Sequence, residues 1–377
     1  MVHPDAQPFL LTSTVFRRGE LEVANYMVFG LAVSNAGTIL AFAEARIDHR
    51  DEGAHHLVLR RSTDGGATWG PVLFIEESAG GECWANPAAL VDRKTGRLFI
   101  FYVLNDRNLA TQVFYRWSDD DGLTWSARRE ITPMLAATDE LGWTVFMTGP
   151  GHGIQLRDGR LVLQLWGRRE ITHPVAERRY GNRVIYSDDH GATWEPGGTV
   201  PLDPVLGNNE ARLVETERGA LVLNARPAAF RGSGRRRRVA SVSLDRGMSW
   251  SPPAFDGSLP ELWPCDCGLI EWTGPEEEGP GERRTRRLFS TITKRRNDPD
   301  NTLEVSLSFD EGITWPVRRA VHRGPCNYSD MAVLPDRSVA VLFGAGSLPA
   351  SPLHAEEALL VRFNAAWLTS GEEAPHA

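Results

Sequence analysis

The chain holds 377 residues, 41% of them hydrophobic and 24% charged, with 49 acidic against 41 basic side chains and a formal net charge of -8. That mixture belongs to an ordered globular protein, and a chain of this length buries roughly three quarters of its surface on folding. The acidic balance argues against nucleic acid or an anionic membrane as the main partner.

Read in chain order, the opening "MVHPDAQPFLLTSTVFRRG" lacks the basic-then-apolar layout of a secretion signal. A cytoplasmic location is the expectation, with secretion left open for a chain whose leader has been removed. Strand-like runs follow at 24–30, "ANYMVFG", and at 37–46, "GTILAFAEAR", with the polar loop "IDHRDE" after them. Later runs are "RLFIFYV" (97–103), "GRLVLQLW" (159–166), "GALVLNA" (219–225) and "SVAVLFG" (338–344), and the last is "EALLVRFNAAW" (357–367). These short apolar runs read as strands, and helical periodicity is nearly absent. The basic run at 231–238, "RGSGRRRR", reads as a solvated hairpin. No stretch of 18 apolar residues occurs, so no membrane-spanning helix is expected. Cys83, Cys265, Cys267 and Cys326 match neither a disulfide framework nor a zinc spacing.

One eight-residue pattern, Ser-x-Asp-x-Gly-x-Thr/Ser-Trp, returns five times, with its serines at Ser62, Ser118, Ser187, Ser243 and Ser308. The Asp suits a tight turn because its oxygens accept from turn N–H groups, and the Gly supplies a positive φ. The Trp is expected to pack its large face on the same sheet. A β-rich run precedes every copy. A repeat of about 60 residues carries about four strands, the size of a propeller blade. The expected fold is all-β: one six-bladed β-propeller over residues 1–377, its first and last strands sharing a blade. The boxes would be scaffold on outer turns, and chemistry would sit in the central cleft.

Five such boxes in six blades resemble the Asp-box repeats of the sialidase (neuraminidase) superfamily, and the resemblance runs from about residue 13 to 345. "NPAALVDRKTGRLFIFY" (86–102), "GPGHGIQL" (149–156), "NNEARLV" (208–214) and "NYSDMAVLPD" (327–336) are similar to further stretches of that superfamily. The resemblance implies a tyrosine nucleophile, Tyr328, activated by Glu210, and an acid/base, Asp51. A phenol with a pKa near 10 is a poor nucleophile until a neighbouring carboxylate takes its proton. Asp51 is expected to have its pKa raised by burial, so that it starts the reaction protonated. Arg46, five residues before Asp51, is expected to line the pocket beside it.

The superfamily holds its substrate carboxylate in a clamp of three arginines. Arg226 matches the middle one. Met27 stands at the first position, and Asn301, nine residues before Asp310, stands at the third. Gly344 replaces a glutamate that would brace the first arginine. Neither Met nor Asn offers the bidentate guanidinium fork that suits a carboxylate. Arg296 is the nearby substitute if the segment after it is an insertion.

The main reading is a retaining exo-glycoside hydrolase whose glycone pocket has moved away from the usual sialic acid carboxylate. One alternative is an exo-α-sialidase that uses Arg296 as a substitute loop arginine; another is a non-catalytic carbohydrate-binding propeller. The expected partner is a glycoside or oligosaccharide, and the chemistry calls for no metal and no cofactor.

Overall fold

A computed structural model describes residues 7–203, 205–228, 237–259, 263, 265–272, 286–348 and 354–370. Six sheets of four to five strands, antiparallel but for the short strand Gly151–His152 that runs parallel to Trp84–Val91, stand around one axis as the blades of a propeller. Blade 1 runs Asn25–Val33, Ile39–Arg46, His55–Ser62 and Leu73–Glu76, from the axis outward. Blades 2 to 5 follow in sequence, with inner strands at Trp84–Val91, Val145–Thr148, Asn208–Glu215 and Leu269–Trp272. Blade 6 starts at Cys326–Val333, continues through Val339–Ala345 and Glu357–Phe363, and is completed by the N-terminal strand Leu10–Arg17.

Middle strands such as Ile39–Arg46 and Val339–Ala345 are buried at every position. Each blade is sandwiched between two others, so both faces of its middle strands are covered and side chains on both must be apolar or paired. This explains why the sequence shows unbroken apolar runs rather than alternation.

The box turns share one hydrogen-bond cage. In the first, Ser62 Oγ donates to Asp64 and accepts from Gly66 N–H, while Thr68 gives both its N–H and its hydroxyl to Asp64. The same cage forms around Asp120, Asp189, Asp245 and Asp310. These donors, the Thr68 hydroxyl first among them, hold the Asp64 carboxyl at about 2. Two of the tryptophans differ from expectation. Trp194 of blade 3 meets Phe101 of blade 2 edge-on at 4.8 Å, and Trp125 of blade 2 meets Phe42 of blade 1 at 5.9 Å. Trp125 and Trp194 are thus rivets to the preceding blade, whereas Trp315 meets Phe289 of its own blade at 5.9 Å. At Trp125 and Trp194 the turn leads away from its own sheet, and the nearest apolar surface is the neighbour's.

Close to the axis the inner strands leave no room for side chains. A Cβ on Gly30 would lie 2.9 Å from the Gly151 carbonyl oxygen, and one on Gly151, at φ +105°, would lie 2.2 Å from the Arg212 guanidinium. Arg212, with no exposed surface, gives one N–H to Asp266 at 2.6 Å, lies 3.3 Å from Asp330, and donates to the Pro150 carbonyl. Asp330 also pairs with His152 at 2.7 Å and accepts Leu31 N–H at 2.9 Å. Five blades are therefore tied through one buried charge cluster. His152 belongs to this cluster. Trp84 and Trp143 are buried scaffold, with their indole N–H groups on the carbonyls of Glu77 and Arg179.

Candidate active site

The inner strands bulge at the cleft end. Register slips between Met27 and Phe29, Ala85 and Ala88, Asn208 and Ala211, and Asn327 and Ser329. Val28, Asn86 and Tyr328 take the positive φ values of such bulges, 53°, 56° and 39°. A bulge inserts one residue and re-aims its side chain, which brings Tyr328 out of the pleat of its strand.

Tyr328 Oη donates to Glu210 Oε1 at 3.1 Å, although 118 residues separate the two. The other carboxylate oxygen of Glu210 accepts from Arg226 at 2.7 Å. Burial raises the Tyr328 phenol well above 10, and the Glu210 charge adds to this, with Arg226 and Arg296 opposing. The resting phenol is un-ionised and aimed at a base. Tyr328 N–H also points at Cys265 Sγ, 3.4 Å away, and the four cysteines are free and buried.

Arg46 is 3% exposed and fully engaged. Its Nε and Nη2 donate to Glu44 Oε2 at 2.9 and 2.6 Å, and its Nη1 to Asp51 at 2.5 Å. Glu44 takes Asn86 N–H on its other oxygen. Glu44 was not anticipated; the one acidic residue in the apolar run "AFAEAR" was the available signal. Asp51 stands on the loop after this strand with its side chain 76% exposed. Its pKa is lowered, contrary to expectation: burial pulls it up, but Arg46, Arg296 and His354 together pull it down further. The arginine that positions this carboxyl also stabilises its charge.

Met27 is 2% exposed and sits opposite Glu44 in the strand register, on the face that carries Glu44 and Arg46. Gly344 has no space for any side chain, since a Cβ would fall 2.4 Å from Asn327 Oδ1 and 2.8 Å from Ala355 Cβ. Asn301 corrects the sequence-based expectation of a pocket residue. It is 1% exposed, its side-chain Oδ1 accepts from Lys294 and Thr302 N–H, and its side-chain amide Nδ2 donates to the Cys326 carbonyl. Asn301 is the clasp at the base of the loop 293–301. That loop carries Arg296, whose guanidinium lies over the Tyr328 ring, 5.8 Å from its centroid. Among the described residues Arg296 has no ion pair. Of the basic run, residues 231–236 lie outside the described residues, and Arg238 is buried, bonded to Asn224 and the Cys265 carbonyl.

Comparison with known proteins agrees with the propeller fold. The profile of the BNR repeat-like domain family matches residues 37–341. A sialidase of Micromonospora viridifaciens is 31% identical over 97% of this chain and 56% of its own length. Sialidase-3 of Homo sapiens is 29% identical over 89% of both chains. The chain spans only 56%, 64% and 54% of the first three curated relatives it matches. Among solved structures, the Hadza microbial sialidase Hz136 superposes over 93% of this chain with a TM-score of 0.75 at 24% identity. The intramolecular trans-sialidase of Ruminococcus gnavus superposes over 96% with a TM-score of 0.73 at 18% identity. These structural likenesses speak to the fold.

Proposed function

Because the chain belongs to the sialidase superfamily with BNR (Asp-box) repeats, we propose that it is a retaining exo-α-sialidase in which Arg296 takes the place of a clamp arginine. The five box turns are read as that superfamily's Asp boxes. The observation that carries the proposal is Arg296, held over the Tyr328 ring with no partner of its own among the described residues. Arg226 stands on the other side of Glu210, so two cations flank the nucleophile where a glycone carboxylate would bind. Charge-assisted bonds to a carboxylate are worth ~1.5–3 kcal/mol each, enough to select an acidic sugar.

In the proposed reaction, Tyr328 Oη bonds to the anomeric carbon as its proton passes to Glu210. The bond to the leaving oxygen breaks, and that oxygen takes a proton from Asp51. Asp51 then takes a proton from water, the water oxygen bonds to the anomeric carbon, and Tyr328 leaves and recovers its proton from Glu210. This is double displacement with a phenol as nucleophile. Arg46, locked by Glu44, holds Asp51 in place.

A second reading, a glycone without a carboxylate at the usual place, rests on Met27 at the first clamp position and on Gly344, which admits no bracing glutamate. A panel of sialosides, sulfated glycosides and neutral glycosides assayed with the wild type and Tyr328→Phe separates the two. Turnover of a sialoside that disappears in Tyr328→Phe supports the first reading. Turnover of neutral glycosides alone supports the second, and binding of sugars without any turnover overturns both.

A further inference from the structure

At two seams a box tryptophan bridges neighbouring blades, Trp125 onto blade 1 and Trp194 onto blade 2. The seam between blades 4 and 5 is built differently. Trp315 lies against Phe289 of its own blade, and its indole N–H donates to Ser258 Oγ at 3.2 Å. Beside it is a hollow of about 500 Å³, walled by Val222 of blade 4, Leu259 of the connection that follows, and Leu269, Phe289 and Trp315 of blade 5. Ile313 also lines it and is 73% exposed, so an apolar side chain stands where the hollow meets solvent. Arg287 lines the hollow and pairs in the strand register with the box serine Ser308, which puts both at the box end of the propeller. Arg226 stands toward the other end of the matching strand of blade 4, whose Leu221 pairs with the box serine Ser243. The hollow therefore opens away from Tyr328 and Glu210.

Arg287 is 4% exposed. Its Nη1 donates to the Glu311 backbone carbonyl, while its Nε and Nη2 have no hydrogen-bond partner among the described residues. Those two nitrogens form the side edge of the guanidinium, the pair that meets both oxygens of a carboxylate in parallel. A buried donor left unmatched is costly, so this edge is a socket for an acceptor. Glu311 does not fill it: its Oε1 lies 3.6 Å from Nη2 and accepts Glu217 N–H at 2.7 Å. Asp256, the other acid on the wall, accepts from Ser258 N–H, the Ser258 hydroxyl and Asn224 Nδ2. Asn224 in turn accepts from Arg238 Nε, which answers the Asp256 charge through one amide. The polar groups of the wall are thus largely spent on one another, a poor match for the many hydroxyls of a sugar. What remains is one cationic edge in apolar surroundings.

We propose that the seam between blades 4 and 5 binds a small monocarboxylate with an aliphatic or aromatic body, its carboxylate on the side edge of Arg287 and its body between the two sheets. The site is separate from the cleft and independent of the reaction proposed above. Its occupant joins two blades at a seam that Trp315 does not rivet, and so stabilises the ring by mass action.

The test titrates benzoate, hexanoate and the uncharged isostere benzamide into the protein by calorimetry. Both acids should bind, and benzamide roughly 10- to 100-fold more weakly, as expected when a charge-assisted pair is lost. Arg287→Met should weaken benzoate by a similar factor. Glu311→Gln, which keeps the acceptor for Glu217 N–H but removes the neighbouring negative charge, should tighten benzoate roughly 2- to 5-fold. Val222→Phe fills the hollow from blade 4 and leaves Arg287 in place; it should abolish binding, and it decides the matter if Arg287→Met does not fold. Failure of both acids to bind at millimolar concentration overturns the proposal, as does benzamide bound as tightly as benzoate. Benzoate binding that survives either Arg287→Met or Val222→Phe also overturns it, because the acid then sits elsewhere, such as on Arg226 and Arg296 in the cleft.

Discussion

Tyr328 Oη and Glu210 Oε1 stand 3.1 Å apart, and Arg226 holds the opposite oxygen of the same carboxylate at 2.7 Å. This arrangement makes Glu210 the fixed acceptor of a phenolic proton, with a cation behind it that accepts no proton. Burial keeps the phenol un-ionised until a reaction begins. Removing the hydroxyl while keeping the ring, in Tyr328→Phe, should lower kcat by at least about 10³-fold, since nucleophile and base act as a unit in the proposed reaction. The melting temperature should move by no more than a few degrees, because the ring still fills its place. Steady-state kinetics beside a thermal melt checks both.

Arg296 and Asn301 should fail in different ways. Arg296→Ala removes one charge-assisted contact and should raise KM for a sialoside roughly 10- to 100-fold, with little change in stability. Asn301→Ala strips three backbone groups of their partner and should cost ~1–3 kcal/mol in folding, with KM rising as the loop loosens. Chemical denaturation and initial rates on both variants separate the contact from its clasp.

Asp51 predicts a dependence on pH and leaving group. Its carboxyl is held below the ordinary range, so the protonated form needed for leaving-group departure grows as pH falls. For a sugar leaving group, kcat/KM should therefore be highest on the acid side and fall as pH rises, whereas an aryl glycoside should show a flatter profile. Asp51→Ala should lose roughly 10²–10⁴-fold with the sugar leaving group and far less with the aryl one. A rate profile from pH 4 to 8 with both substrates decides this.

Asp266 should make folding stability pH-dependent. Burial first, and then the charges of Glu210 and Asp330, lift its carboxyl to about 7 against the pull of Arg212. Its folded pKa thus lies above the unfolded value near 4, so the native state binds the extra proton between the two. The contribution is full below about pH 4 and is lost as pH rises through 7. Asp266→Asn, which mimics the protonated acid, should flatten that fall, so the melting temperatures of wild type and variant should lie nearest each other at acid pH, and the wild type should lose more than the variant as pH rises through 7.

Gly151→Ala tests the axis. The added methyl would enter the Arg212 guanidinium and force a positive φ on alanine. A loss of ~1–3 kcal/mol is expected, read as a lower denaturation midpoint.

The architecture was legible because a turn with fixed chemistry returned at a steady interval, each time after a β-rich run. Tyr328 and Glu210 were legible because each sits in a distinctive local sequence. What misled was distance counted along the chain. Nine residues back from Asp310 falls on Asn301, but the loop 293–301 doubles back, so the residue that lies over the Tyr328 ring is Arg296. Partners across blades, such as Glu44 with Asn86 N–H or His49 with His354, leave no local trace. Trp125 and Trp194 were placed on the wrong sheet for the same reason: a turn sequence encodes its own shape and not which surface lies beyond it.

The strand Leu10–Arg17 is made before its register partners, which run from Phe363 back to Glu357. At roughly 5–20 residues per second, synthesis alone delays that pairing by on the order of 20–70 s. During this interval blade 6 has no outer strand and its N-terminal segment trails as an unmatched ribbon with an apolar stripe. Closing a loop of almost the whole chain carries the largest entropy cost in the fold and waits for every other blade. Blade 6 is thus a clasp between strands that leave the ribosome far apart in time.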